Sequence, residues 1–285
     1  MTGTSLDGVD LVFVEFSCSQ DTYKFQIIDS VCLDYKAEVK LKLQNSVHLS
    51  QKELNLLDKD YGEYLGECVK EFIRIKNINK TDINFVASHG YTVFHQPDKG
   101  FTLQIGCGKR LATTCGIDVI NDFRSKDVAH GGQGAPLVPI GDCFLFSNYD
   151  ACLNLGGFAN ITLLNQDKVI AFDISPANLP LNSISNLTGK EYDENGLLGR
   201  NGVVNTQILK KLNKLDYYQK QPPKSLGTEW LNEEFYPNVE LTTENISTIY
   251  EHIAIQIAAV INENDCKNVL ITGGGAFNQY LIEQI

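Results

Sequence analysis

Ala151-Cys152-Leu153-Asn154-Leu155-Gly156-Gly157-Phe158-Ala159-Asn160-Ile161-Thr162-Leu163-Leu164 reads as an apolar strand over 151–155, a turn at the paired glycines, and a second strand over 159–164. A further strand over 169–172 follows and ends at Asp173. Downstream, the spacing of apolar residues predicts helices over 203–215 and 246–262. A strand over 269–272 then runs into Gly273-Gly274-Gly275, and residues 280–285 begin another helix. Upstream, 11–16 and 23–28 read as a strand pair, 50–75 as an amphipathic helix and 83–88 as a buried strand leading into His89-Gly90. Residues 101–105 form a short strand followed by a helix, and 118–123 another strand that runs into a Gly-rich loop over 124–139. Strands interleave with helices, and Gly and Asp gather where strands end, which is where ligands bind in open α/β sheets. The expectation is an α/β enzyme.

The 285 residues suffice for one large or two medium domains. At 43% hydrophobic and 21% charged, the chain has the balance of a soluble globular protein. Its 24 Lys and Arg against 35 Asp and Glu leave a net charge of −11, a surface that repels polyanions and argues against nucleic acid as a partner. A nucleotide remains admissible, because backbone amides, helix termini and a metal ion neutralise phosphates locally. The 8 cysteines lie at 18, 32, 68, 107, 115, 143, 152 and 266 without a CxxC pair, and the 5 histidines are scattered, so the reading is buried reduced thiols and no zinc site. No apolar run is long enough to span a bilayer and no signal segment opens the chain. The expectation is a cytoplasmic protein without a membrane partner.

Five segments carry candidate chemistry. In Gly3-Thr4-Ser5-Leu6-Asp7-Gly8-Val9-Asp10, the glycines let backbone amides approach phosphates, Thr4 and Ser5 add hydroxyls, and Asp7 or Asp10 can hold Mg²⁺ directly or through water. The segment lacks the Gly-Lys-Ser/Thr ending of a Walker loop, and a plain polar turn also accounts for it. Gly273, Gly274 and Gly275, with Asn278 following, suit an adenosine or phosphate site or else a tight strand-to-helix turn. The block 122–139 offers Asp122, Arg124, Asp127, Gln133 and Pro136 to a polar substrate, with Arg124 or Lys126 able to meet a carboxylate or phosphate; a solvated loop is the plainer account. Asp173, at the end of an apolar strand, has the restraint a general base needs, or else it caps a helix or turn. Lys224 in Pro222-Pro223-Lys224-Ser225-Leu226-Gly227 can touch phosphate or brace a loop, while Trp230 reads as packing.

Together GTSLDGVD at 3–10, DFR…GGQGAPLVP at 122–139, NLGGFANI at 154–161, FDISPAN at 172–178, PPKSLG at 222–227 and GGGAFN at 273–278 resemble the anhydro-N-acetylmuramic acid kinase family, in order along nearly the whole chain. The resemblance implies an actin-like ATPase (ribonuclease H-like) fold with two lobes around a nucleotide cleft, expected at 1–120 and 121–285. It implies ATP with Mg²⁺, a small anhydro amino sugar as substrate, and a homodimer. The implied reaction takes 1,6-anhydro-N-acetylmuramic acid, ATP and water to N-acetylmuramic acid 6-phosphate and ADP in peptidoglycan recycling. Asp173 matches the aspartate that activates water. The phosphate loop matches Gly3, Thr4, Ser5, Asp7, Gly8 and Asp10; Gly156, Gly157, Asn160, Gly273, Gly274, Gly275 and Asn278 complete the expected ATP contacts. Asp122, Arg124, Asp127, Gln133, Pro136 and Asn178 are the expected substrate contacts. Two glycines of the family's Asp-Thr-Gly-Pro-Gly-Asn motif are Ser175 and Ala177 here, and Asn182 stands where many relatives carry Asp. Family members begin with a strand ahead of the phosphate loop and continue beyond GGGAFN, which implies a chain trimmed at both ends. Two other readings stay open: a kinase for another anhydrosugar, and a nucleotide-binding relative without catalysis.

Overall fold

The computed structural model describes residues 6, 8–20, 22–96, 99–164 and 168–285, so the expected phosphate-loop residues Gly3, Thr4, Ser5 and Asp7 lie outside the described residues. The chain packs as two units, Met1–Leu137 and Val138–Ile285, each with its own apolar core.

The first unit opens with β1 (Val9–Ser19) and β2 (Thr22–Leu33), an antiparallel pair with a register shift at Phe13/Val14. A short α1 (Ala37–Gln44) precedes α2 (Gln51–Ile75). The start of α2 is fixed by Ser50, whose hydroxyl accepts from the Glu53 amide while the Glu53 carboxylate takes the Ser50 N–H, a reciprocal cap. Its buried stripe of Leu54, Leu57, Tyr61, Leu65, Cys68, Val69 and Phe72 recurs at helical spacing. Then come β3 (Val86–Ser88), β4 (Tyr91–Gln96), β5 (Phe101–Ile105), α3 (Gly108–Cys115), β6 (Val119–Asn121) and α4 (Ser125–Ala129). β3 pairs in parallel with β6, and β4 antiparallel with β5. Gly62 and Gly66 let α2 approach α3, since a Cβ at Gly62 would sit 2.5 Å from the Cys107 carbonyl oxygen.

The sequence differs from this in three places. The strand expected over 83–88 is only β3, and its residues are half-buried or exposed rather than buried. The segment 124–139 is not one loop: α4 forms within it and the next helix begins at Val138. The first unit extends through Leu137 rather than ending near residue 120.

The second unit contains α5 (Val138–Leu145), β7 (Ala151–Leu155), β8 (Phe158–Leu163), β9 (Ile170–Pro176), α6 (Asn178–Asn186), α7 (Leu197–Asn201), α8 (Thr206–Leu212), α9 (Thr228–Trp230), α10 (Ile246–Glu263), β10 (Val269–Thr272) and α11 (Gln279–Gln284). The sheet order is β10-β7-β8-β9, an antiparallel meander with β10 parallel to β7. Leu153, Leu155, Ile161 and Ile174 from the sheet meet Ile249, Tyr250, Ile253 and Ile257 of α10 in a core closed to solvent. Burying such side chains contributes roughly 1.5–3 kcal/mol each. β9 runs on to Pro176, so Asp173 is mid-strand and not at a strand end. The strand continues past Asp173 because Ile174 and Ser175 are buried, and proline is tolerated at the terminus of an edge strand.

All eight cysteines are free; Cys68, Cys115, Cys152 and Cys266 are buried, but Cys18 and Cys32 on the β1–β2 pair are exposed, contrary to the buried reading. No described helix is long and apolar enough to cross a membrane.

Candidate functional site

Directly paired residues of a sheet point to the same face. The register pairs Thr272 with Asn154, Asn154 with Asn160, and Asn160 with Asp173. These four polar side chains therefore form one row across β10, β7, β8 and β9. A register shift between Ala159 and Asn160 interrupts the β8–β9 pairing beside Asp173. Irregularities of this kind re-aim side chains next to sites.

Asp173 is half-buried. Its Oδ2 accepts the Leu226 N–H at 2.8 Å, and Oδ1 takes no hydrogen bond among the described residues. Burial pushes its carboxyl above the ordinary carboxylate value, opposed by the Leu226 amide. The backbone there is clamped: Asp173 N–H donates to Lys224 O at 3.2 Å, and Tyr217 Oη donates to Asp173 O at 2.5 Å. Lys224 braces the same segment. Its Nζ lies 4.9 Å from the Tyr217 ring centroid and 5.7 Å from that of Phe172, and donates to Tyr217 O. It acts as the loop brace rather than a free cation, and Trp230 packs on Tyr217 and Tyr218 as the sequence suggested. A cavity of about 570 Å³ lined by Phe172, Ile174, Tyr218, Lys224 and Gln256 lies beside these neighbours of Asp173.

The parallel strands β7 and β10 end together, which brings Gly156-Gly157 and the 273–275 glycines to one edge. Gly273 has φ +82°, and a Cβ there would meet Asn154 Oδ1 at 2.6 Å and Leu155 O at 2.7 Å. Beside Gly274 opens a cavity of about 410 Å³ lined by Asn178, Asn182, Asp193, Tyr250 and Asn278 among others, with Phe277 at its rim, 84% exposed. Asn178, grouped by sequence with the substrate contacts, thus stands with the glycine loop, and its Nδ2 donates to Leu155 O at 3.0 Å. Asn278 is held at both ends of its amide: Oδ1 accepts the Leu281 N–H and Nδ2 donates to Tyr250 Oη at 2.6 Å. Its part is to fix the loop as well as to line the cavity. The Gly156 N–H is taken by Phe158 O, and the Gly156 and Gly157 carbonyls accept from residues 177–179 at the start of α6. Ser175 and Ala177, which replace family glycines, are both fully buried.

In the first unit, Arg124 is half-buried with Nε donating to His89 Nε2 at 3.0 Å and Nη1 to Gly134 O at 2.6 Å. His89 then accepts at Nε2 and donates from Nδ1 to Gly90 O, a neutral ring; burial first, and then the Arg124 charge, lower its pKa, opposed by the Gly90 bond. No carboxylate pairs with Arg124 within ion-pair distance among the described residues, and burial lowers its pKa. Asp127 closes the loop by accepting the Gly134 N–H at 2.7 Å, and Asp122, at φ +59°, accepts the Ser125 N–H at 3.2 Å. Gln133 and Pro136 are exposed. Gly8 is buried where a Cβ would press on Cys32 and Leu33, so its missing side chain serves the β1–β2 pair, and Asp10 is exposed on β1.

Sequence reading did not single out Asn154, Thr272, Asp193, Tyr217 or Tyr250. Asn154 carried a signal, a polar residue inside an otherwise apolar strand. Asp193 and Tyr250 are joined only by tertiary structure.

Comparison with known proteins gives one consistent family. A family model described as anhydro-N-acetylmuramic acid kinase matches residues 1–285. A protein of that name from Acinetobacter baylyi is 35% identical over 312 residues, covering 100% of this chain and 81% of the relative. Another from Shewanella putrefaciens is 37% identical over 303 residues with the same coverage, 100% and 81%. Among solved structures, the activator of the 2-hydroxyisocaproyl-CoA dehydratase from Clostridium difficile with bound ADPNP is 10% identical, covers 96% of this chain and 84% of that one, and has a TM-score of 0.42, too low to carry an argument.

Proposed function

The chain belongs to the anhydro-N-acetylmuramic acid kinase family, and on that premise we propose how its own residues carry out the reaction. The enzyme is an ATP-dependent kinase that takes 1,6-anhydro-N-acetylmuramic acid, ATP and water to N-acetylmuramic acid 6-phosphate and ADP, a step of peptidoglycan recycling. We assign each unit to the actin-like fold, and a cytoplasmic homodimer as the working state; light scattering on the purified chain tests the dimer.

Asp173 is the general base. The observation that carries this is its setting: one carboxylate oxygen fixed by the Leu226 amide, the other open, on a backbone clamped by Tyr217 and Lys224. Oδ1 takes a proton from water as the water oxygen bonds to C1, the C1–O6 bridge breaks, and O6 accepts the γ-phosphoryl group while ADP leaves. Burial raises its pKa, which makes the Asp173 carboxylate a stronger base than an ordinary one. Asn160, its cross-strand neighbour, is placed to orient the water or the sugar.

The glycine loop and the 410 Å³ cavity are the adenosine site, with Gly274 admitting the ligand close to backbone. Arg124 is the contact for the lactyl carboxylate of the sugar. A half-buried guanidinium without a carboxylate partner is stabilised by a bound anion, and His89 and Gly134 hold it in a fixed orientation. Among the described residues no three Asp, Glu, His or Cys converge as a metal centre. Asp7 and Asp10 are the carboxylates we assign to Mg²⁺, directly or through water; bound there, the ion would supply charge neutralisation to phosphoryl transfer.

Replacing Asp173 with Asn tests the assignment. The expected result is a kcat lower by roughly 10²–10⁴ with nucleotide affinity unchanged. A variant with wild-type kcat would remove Asp173 from the chemistry.

A further inference from the structure

Behind the glycine loop runs a buried chain of hydrogen bonds that the reaction itself does not use. Asn278 Nδ2 donates to Tyr250 Oη at 2.6 Å, and Tyr250 Oη donates to Asp193 Oδ2 at 3.1 Å. Asp193 also accepts the Leu198 N–H on Oδ1 at 2.9 Å and the Gly199 N–H on Oδ2 at 3.1 Å. Tyr250 is 0% exposed and Asp193 5%. Every donor in the chain points the same way and ends on one carboxylate, which has both oxygens engaged. Three elements far apart in sequence meet here: the turn before α7, the N-terminal part of α10, and the link between β10 and α11.

The space around the chain leaves no slack. A Cβ at Gly199 would fall 2.3 Å from the Tyr250 ring, and one at Gly196 would fall 2.6 Å from Asn278 Oδ1. The far end of Asn278 caps α11 through the Leu281 amide. The 3-10 turn Gly274–Phe277 lies directly before this anchored asparagine. Asp193, Tyr250 and Asn278 all reach the wall of the 410 Å³ cavity.

We propose that Asp193 and Tyr250 are positioning residues that lock Asn278, and through it the 273–277 loop, into the conformation that receives the nucleotide. This rests on the assignment of the cavity as the adenosine site. A glycine-rich turn has many accessible conformations, and fixing it before binding removes an ordering cost from ligand association. The carboxylate accepts the tyrosine hydroxyl in a hydrogen bond stronger than one between neutral groups, with both residues largely withdrawn from solvent. The loop is thus held by its following residue, leaving the glycine backbone itself open to the ligand.

The test is MgADP affinity by calorimetry, with the KM values for ATP and anhydrosugar, on the whole chain and two variants. Tyr250→Phe keeps the ring and its packing but loses the hydroxyl. Asn278→Ser keeps an oxygen to cap α11 but is too short to reach Tyr250. Each variant is expected to weaken MgADP binding and raise the ATP KM about ten-fold, equivalent to about 1.4 kcal/mol, with the sugar KM unchanged. The double variant is expected to lose no more than either single one, because both break the same link. Wild-type MgADP affinity in a folded Tyr250→Phe or Asn278→Ser chain overturns the proposal and leaves the adenosine site standing. Equal rises in both KM values overturn it too, since they signal general loosening. Absence of MgADP binding by the unaltered chain removes the adenosine site and this inference with it.

Discussion

Asp173 sets the acid side of the pH profile. Its folded-state pKa is raised by burial, and the base must be ionised to act. Activity is therefore expected to fall as pH drops through a value above the ordinary 3.8, and the Asp173→Asn chain is expected to lack that limb. A wild-type limb at or below the ordinary value contradicts the buried setting. His252 makes a separate prediction about stability. It is 0% exposed, donates from Nδ1 to Asn213 Oδ1 and accepts at Nε2 from Tyr218, and burial lowers its pKa from 6.5 to about 3. The unfolded chain binds this proton more readily, so the contribution is present above 6.5 and is lost as pH falls from there toward about 3. The unfolding free energy from urea titrations should fall as pH drops below 6.5, its slope from this group growing toward about 1.4 kcal/mol per pH unit; a flat profile there rejects the neutral buried ring. Asp173 was legible in the sequence because a carboxylate stands out among Phe172, Ile174 and their apolar neighbours. Tyr250 was not: its hydroxyl lies in a helix that reads as core, and only the fold brings Asp193 to it.

Elements with a local cause were legible, and those with a tertiary cause were not. The helix over 50–75 carries its own cap and periodicity, and α2 has those bounds to within a residue. Ser50→Ala is expected to cost about 1 kcal/mol in chemical denaturation. Gly62→Ala, a change that helix propensity favours by about 1 kcal/mol, is expected to destabilise instead. Its Cβ would meet the Cys107 backbone at 2.5 Å, and overpacking of this kind costs roughly 1–3 kcal/mol. A more stable Gly62→Ala chain would show that α2 and α3 are less tightly apposed than described. The extension of β9 through Pro176 escaped sequence reading because its cause is burial of Ile174 and Ser175 and the bond to residue 224 on its outer edge. The helix α4 escaped because it is only five residues long, follows Asp122 in a left-handed conformation, and lies within a stretch whose glycines read as loop.

For the whole molecule, the ordered motifs pointed to the family; the division after Leu137 was beyond them and beyond composition, because no shift in composition marks it. Ligand linkage gives a global readout of the site: MgATP at about a hundred times its Kd should stabilise the chain by about 2.7 kcal/mol. The central claim is that these 285 residues transfer phosphate to an anhydrosugar that water has opened. The direct measurement is ADP release by the purified chain in MgATP, with and without 1,6-anhydro-N-acetylmuramic acid, the sugar product being weighed by mass spectrometry. The account predicts ADP formed only with the sugar present, in equal amount to a ring-opened 6-phosphate. Sugar-independent ADP release, or a folded chain that binds MgATP and forms no phosphorylated sugar, contradicts it.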